Sequence, residues 1–299
     1  MQIETLDLEF QNIPNVIASY LVLGAQGPVL VETGPSSTLS TLIQRLDDHG
    51  IAPADIRHVL VTHIHLDHAG AAGWWAQQGS RIYVHPFGAP HLVDPGRLVA
   101  SAERIYGDRM ASLWGDILPA PPDKVVPVQD GEVIEVAGLA FTAIETPGHA
   151  RHHHVYQLGG IAFAGDAAGI RLPGATWIDV PAPPPEFDRE AWKVSTAKLR
   201  DLGLSTLCPT HYGPTTDVAG QLDTLEAELD TVTEYVRTMM GEGLDRDAMV
   251  ERYTGWLEKR EAKEGVVGDL ALAHDIGNPR PMSVDGIARY WRKRAESKS

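Results

Sequence analysis

Residues 62 to 70 read THIHLDHAG, which places three histidines and one aspartate within six positions directly after the apolar run HVLV. Imidazole nitrogen and carboxylate oxygen are the donors favoured by zinc and its first-row neighbours, and a loop leaving a strand can turn several of them toward one point. Alternation puts His63 and His65 on one side as the strand ends, while Asp67 and His68 enter the next turn at the start of a helix. Two donor pairs arranged in this way could serve two adjacent metals. A single loop histidine would be read as an exposed accident, but H-x-H-x-D-H behind a buried strand is a metal-ligand pattern.

Three downstream positions repeat the donor types. His149 stands in ETPGHA, Asp166 in FAGD after a strand-like run, and His211 in PTHYG. With these motifs, in this order, the sequence resembles the metallo-β-lactamase superfamily of hydrolases over residues 1 to 215. The resemblance implies one metal held by His63, His65 and His149, a second held by Asp67, His68 and His211, and Asp166 as the bridge between them. It implies an α+β fold, the four-layer αβ/βα sandwich, with two packed sheets, helices outside and the metals at one edge. The expected cofactors are two divalent ions, zinc first, with manganese or iron as other choices. In such a centre the metals activate water and polarise the bond to be cleaved, and Asp67 orients the attacking group as well as binding metal.

One stretch departs from the family pattern. A glycine and then a histidine commonly follow three and four residues after the T-P-G-H histidine, whereas HARHHHVY carries His152 and His153 there. His153 has two readings, one that orients a ligand from behind and one of simple packing. His152 and His154 are read as structural. Tyr212, next to the last proposed ligand, could donate to an oxyanion, although packing is the preferred reading. Cys208 on an apolar strand end is read as a buried, inert thiol. His85 is read as a strand-end residue, and His49, His58, His91 and His274 fall in no pattern.

The elements that must position these donors follow from periodicity. QIETLDLEF, VIASYLVLG, PVLVETG, RHVLVTH and RIYVHP have strand texture. SSTLSTLIQRLDDHG and AGAAGWWAQQG have helical texture between them. Residues 86 to 124 loosen into weakly helical pieces with prolines, and residues 171 to 187 carry too many prolines for a helix. Both stretches are expected to cover something. Their aromatics, Tyr106, Trp114 and Trp177, could line a pocket for an apolar acyl group, or form the core of a lid or an oligomer contact, and the second reading is preferred. Strands resume at EVIEVAG, LAFTAIETPG, HHVYQLGG and IAFAGD, then Asp188 caps a helix and STLCPTHYG closes the pattern. From residue 216 the chain reads as helix, so a catalytic domain over 1–215 and a helical C-terminal extension over 216–299 are expected.

Composition restricts the function classes. The 299 residues carry 25 Lys+Arg against 40 Asp+Glu, a net charge of −15, which repels a phosphate backbone unless bases cluster. The one dense basic run, RYWRKR, reads as the solvated face of a final helix. No nucleic-acid partner is expected, nor a membrane partner, since no apolar run reaches bilayer length. A single cysteine and an acidic N-terminal stretch fit a cytoplasmic protein. The expected activity is metal-dependent hydrolysis of an ester, lactone or thioester of a small, neutral acyl substrate, since no evident Lys/Arg set is placed to hold carboxylates, and the apolar stripe of residues 216–240 suggests a homodimer. The alternatives are an iron-dependent oxidoreductase of the persulfide dioxygenase type, a phosphodiesterase or nuclease, and a non-catalytic metal-binding protein.

Overall fold

A computed structural model describes residues 1–296. The first sheet orders β1 (Gln2–Asp7), β2 (Ala18–Gly24), β3 (Gly27–Val31), β4 (His58–Leu60), β5 (Arg81–Val84) and β6 (Val125–Pro127) in chain sequence. Its first three strands pair antiparallel and the others parallel. The second sheet runs β11 (Thr206–Pro209), β10 (Ile161–Gly165), β9 (His154–Leu158), β8 (Leu139–Glu145) and β7 (Val133–Val136), with only the β10–β11 pair parallel.

Strand alternation decides which residues go to which layer. Tyr20, Val22, Val29, Val31 and Leu60 face inward and meet Phe141, Tyr156, Phe163 and Cys208 of the other sheet. The intervening Leu21, Leu30 and Val59 face outward, where Leu42 and Leu46 of α1 (Leu39–Asp48) and Trp75 of α3 (Ala72–Gln77) cover them. On the second sheet Val155, Ala162, Ala164 and Leu207 lie under Leu199 of α7 (Arg189–Asp201) and Leu222 of α8 (Val218–Gly241). Helix, sheet, sheet and helix therefore stack as four layers, as the resemblance implies.

The short strand β6 is the element that periodicity does not reveal. Its three residues are too few to show alternation, and Pro127 ends the run. Residues 86 to 124 form α4 (Ala89–Val93), α5 (Gly96–Tyr106) and α6 (Met110–Trp114). Asp188 caps α7 through Oδ1, which accepts from the Ala191 backbone N–H at 3.0 Å.

The last helices are α8, α9 (Arg246–Lys263), α10 (Asp269–Gly277) and α11 (Arg280–Glu296). The apolar stripe of α8, including Leu225, Leu229, Val232 and Val236, packs against Tyr253, Val284 and Ile287 of the later helices and against Trp177, Ile178 and Trp192. That stripe is thus covered by the chain's own residues. Among the described residues no helix is long and apolar enough to cross a membrane.

Candidate metal centre

β4 delivers the first donors. The chain leaves the sheet at Val61, His63 follows on an irregular stretch, His65 precedes the short helix α2 (Leu66–Ala69), and Asp67 and His68 occupy its first turn. His149 comes from the turn between β8 and β9, Asp166 directly follows β10, and His211 lies just beyond β11. Each of these strand ends opens at the same edge of the sandwich. Three donor groups that could hold a metal ion result: His63 with His65 and His149, His63 with His68 and Asp166, and Asp67 with His68 and His211. All seven residues named from the sequence are thereby brought together.

Two motif glycines explain how the chain makes these turns. Gly165 sits at φ +50, and a Cβ there would lie 2.4 Å from Thr62 Oγ1 and 2.7 Å from His153 Nε2. Gly148, before His149, sits at φ +146 with Trp192 Cβ only 2.3 Å from where its own Cβ would be.

Hydrogen bonds on the outer ring nitrogens set the direction of the inner ones. A carbonyl can only accept, so His149 Nδ1 donates to Pro181 O at 2.9 Å and His211 Nδ1 donates to Val16 O at 2.7 Å. Both rings then present a bare Nε2 to the centre. His149 Nε2 lies 2.8 Å from His65 Nδ1, which is also 2.9 Å from His63 Nε2. Asp166 faces both sides: Oδ2 is 3.3 Å from His149 Nε2, while Oδ1 is 3.2 Å from His68 Nε2 and 3.6 Å from His211 Nε2. Asp67 Oδ2 approaches His211 Nε2 at 3.3 Å and His68 Nε2 at 3.6 Å.

Electrostatics divides the cluster. Burial drives His63 far down, with the neighbouring imidazoles adding to it, and takes His65 to about 3. Burial also opposes charge on His68 and His211, but Asp166 and Asp67 outweigh it and both are raised. Asp166 and Asp67 would be lifted by burial, yet the facing imidazoles hold Asp166 well below the usual range and Asp67 at about 2. His63 and His65 are therefore neutral imidazoles and Asp67 and Asp166 anions, the protonation states in which these side chains bind cations, whereas His68 and His211 are drawn toward the protonated form by the two carboxylates and would give up that proton to a bound cation.

The donor chemistry fits a metal pair on a direct observation. His68 Nε2, His211 Nε2 and Asp166 Oδ1 are buried, converge on one another and have no hydrogen-bond partner among the described residues. Buried polar atoms are normally satisfied, and those that are not call for an ion or another ligand.

Sequence reading missed Glu32, at the end of β3 and fully buried with φ 66. Its Oε1 accepts from Thr62 Oγ1, from His68 Nδ1 at 3.3 Å and from Thr210 Oγ1 at 3.4 Å. Because the Thr62 hydroxyl hydrogen is committed to Glu32, Thr62 Oγ1 accepts from His63 Nδ1 at 3.1 Å. One carboxylate thus orients His68 directly and His63 through Thr62. The only signal in sequence was an acid closing an apolar run, VLVE.

His153 is found behind the centre. Its Nε2 accepts from the Asp166 backbone N–H at 3.2 Å, so Nδ1 carries the hydrogen toward Thr146 Oγ1 at 2.8 Å. Tyr212 packs between the two main cores and does not line the cavity over the metal ligands. His152 does line that cavity and pairs with Glu186 at 3.2 Å, and His91, which fits no sequence pattern, lines it too. His85 pairs with Glu145 at 3.0 Å.

The cavity holds about 370 Å³ and has His65, Asp67, His149, Asp166 and His211 at its floor. Tyr106 and Trp114 line it, while Trp177 is buried in the core of the C-terminal helices. Walls come from α5 and α6, from residues 181–186, and from residues 275–282 at the α10–α11 junction.

Comparison with known proteins agrees with this arrangement. A metallo-beta-lactamase fold-containing protein of Sulfurisphaera tokodaii is 26% identical over 206 residues, 67% of this chain and 74% of that protein. An uncharacterized protein of Mycobacterium bovis is 32% identical over 158 residues, 50% of this chain and 65% of its own length. A metallo-beta-lactamase family protein from Thermus thermophilus superposes with a TM-score of 0.71 at 21% identity, over 99% of this chain and 94% of that one. A protein crystallised in a di-iron-bound form superposes with a TM-score of 0.52 at 24% identity, over 70% of this chain and 93% of that one. These structural likenesses are of fold. Residues 13–211, which span every donor described above, match the family model of the metallo-beta-lactamase superfamily, and the chain belongs to that superfamily.

Proposed function

We propose that this protein is a metal-dependent hydrolase that cleaves an ester, lactone or thioester of a small acyl substrate. The observation that carries the reading is Asp166, whose two oxygens face two sets of bare imidazole nitrogens at the floor of a largely apolar cavity. His63, His65 and His149 would hold one ion, Asp67, His68 and His211 the other, and Asp166 would serve both. Two divalent ions, zinc first, would supply water activation and polarisation of a scissile carbonyl.

The remaining work falls to the chain's own groups. Asp67 lines the cavity and stays ionised, so it can accept a hydrogen bond from an incoming water and aim its lone pair. Glu32 and the carbonyls of Pro181 and Val16 fix the imidazoles before substrate arrives, so little reorganisation is left for the reacting complex. Ile64, Leu66, Tyr106 and Trp114 give the acyl part an apolar wall that limits bulk water at the floor.

Tag-free protein would be analysed for metal, reconstituted with zinc, manganese or iron, and assayed on a lactone, a thioester, a phosphodiester and a β-lactam, with oxygen uptake recorded. The expected result is two metal equivalents, turnover of the lactone or thioester, and loss of both metal and turnover in His63→Ala. Turnover of the phosphodiester alone, or oxygen consumption with iron, would replace this reading by a nuclease or an oxidoreductase. The iron arm is included because the fold is shared with a protein crystallised in a di-iron-bound form. Full activity in metal-free His63→Ala would remove the reading altogether.

A further inference from the structure

The cavity wall opposite the loops is one face of α5 and the turn after it. Leu98, Ala102, Ile105 and Tyr106 lie along it at the i, i+3 and i+4 spacings that share a helix face, with Arg97 at one end and Arg109 at the other. Arg97 stands in the first turn of α5, whereas Arg109 lies beyond its C-terminal end, past the break at Gly107 with φ +52, so the two guanidinium groups are anchored at opposite ends of this wall.

Charge is unevenly settled around this wall. Two acids line the cavity away from the floor, and each faces an arginine. Glu186 accepts from Arg151 at 2.8 Å and faces His152, while Asp275 shares Arg280, at 2.7 Å, with Glu258 and Glu261. Arg97 and Arg109 line the same cavity, and neither forms an ion pair among the described residues. Arg57, Arg81, Arg104, Arg171, Arg289 and Arg292 also lack a carboxylate partner among the described residues, so what distinguishes Arg97 and Arg109 is their place in the cavity wall.

Arg109 lines the same cavity as Tyr106 on the wall and Asp67 at the floor. Burial pushes the Tyr106 hydroxyl up, Asp67 adds to this and Arg109 works against it, so the ring is within electrostatic reach of both. The hydroxyl has a thioether as its partner, Met282 Sδ at 3.8 Å, and a thioether is a weak acceptor. From Asp67 outward the wall thus offers an apolar surface with Ile105 half exposed, a phenol free to donate to a better acceptor, and an unpaired guanidinium.

We infer that the acyl substrate carries an anionic group at the end remote from the scissile carbonyl, and that Arg109, assisted by the Tyr106 hydroxyl, receives it while the apolar middle lies along α5. This rests on the cavity being the substrate site proposed above. A carboxylate and a phosphate or phosphonate share the required chemistry, since both accept charge-assisted hydrogen bonds from a guanidinium.

The test is a calorimetric titration of metal-loaded and metal-free protein with three amides that are not hydrolysed readily and differ only at the far end. These are hexanamide, 6-amino-6-oxohexanoate and 5-phosphonopentanamide, with a short series of chain lengths for each. At least one anionic ligand should bind about two- to fivefold more tightly than the neutral one, the scale of an exposed charge pair. The tighter of the two anions identifies the headgroup. Arg109→Ala should erase the preference for anionic over neutral ligand, Arg109→Lys should restore part of it, and Arg97→Ala should keep most of it. Equal binding of neutral and anionic ligands would overturn the inference, as would a preference that survives Arg109→Ala or depends on Arg97 instead. If no ester or thioester is turned over but the Arg109-dependent preference is present, the hydrolase reading fails and this one stands.

Discussion

Replacing Glu32 by glutamine keeps side-chain shape and removes one charge beneath the proposed metal centre. In the native chain Oε1 accepts from Thr62 Oγ1, His68 Nδ1 and Thr210 Oγ1, and Oε2 lies 3.4 Å from the Thr62 backbone N–H. A glutamine can keep its carbonyl oxygen on the first set, but its NH2 then faces the Thr62 N–H, donor against donor. Each bond to the charged acceptor drops toward the neutral value, a loss of about 1 kcal/mol apiece, so three bonds place the upper bound near ~3 kcal/mol. Part of this is returned because a charge no longer has to be buried. What remains is expressed in the orientation of His63 and His68, and groups that orient metal ligands typically contribute about 10–100-fold in metal affinity. The assay is zinc affinity by competition with a chelator of known strength, alongside urea unfolding of the metal-free protein. Glu32→Gln should weaken zinc binding by at least about tenfold, or ~1.4 kcal/mol, while still folding. Unchanged zinc affinity, with any loss confined to urea stability, would show that Glu32 merely fills a buried polar site.

Asp179 predicts a pH dependence away from the metal centre. Burial pushes its carboxyl up to about 7, and the hydrogen bond from Asn278 lowers it only in part. Between about 4 and 7 the folded chain therefore keeps a proton that the unfolded chain has released, so this group's contribution is largest near pH 4 and is lost as pH rises through 7, by a few kcal/mol at most. Urea unfolding from pH 5 to 8 should show wild type losing stability relative to Asp179→Asn as pH rises, and parallel curves would refute this. Gly165→Ala should destabilise by about 1 kcal/mol or more, because φ is +50 and His153 Nε2 blocks the new Cβ, read as a fall in melting temperature. Cys208, whose thiol burial pushes up to about 12, should stay unmodified by a thiol reagent at neutral pH until the chain is unfolded.

The donor residues were legible because their positions are local facts. A buried strand fixes where side chains stop alternating, so THIHLDH after HVLV had to project several donors from one strand end. His149, Asp166 and His211 were recognisable by their turns and by family resemblance, and the glycines of two of those turns have the positive φ that the geometry needs. The four layers were implied in the same way. The strand β6 was not visible, since three residues carry no period.

Sequence alone determined the donor types, their order along the chain and the strand ends that present them, because these depend on the backbone within a few residues. Tertiary packing alone decided that Glu32 lies under both His63 and His68, that His153 accepts from Asp166, and that Tyr106 and Arg109 share a cavity with residues 181–186 and 275–282. Those contacts join segments far apart along the chain. No local periodicity encodes which of them will meet, because that is settled only when the sheets, the outer helices and the C-terminal helices bury their apolar faces together.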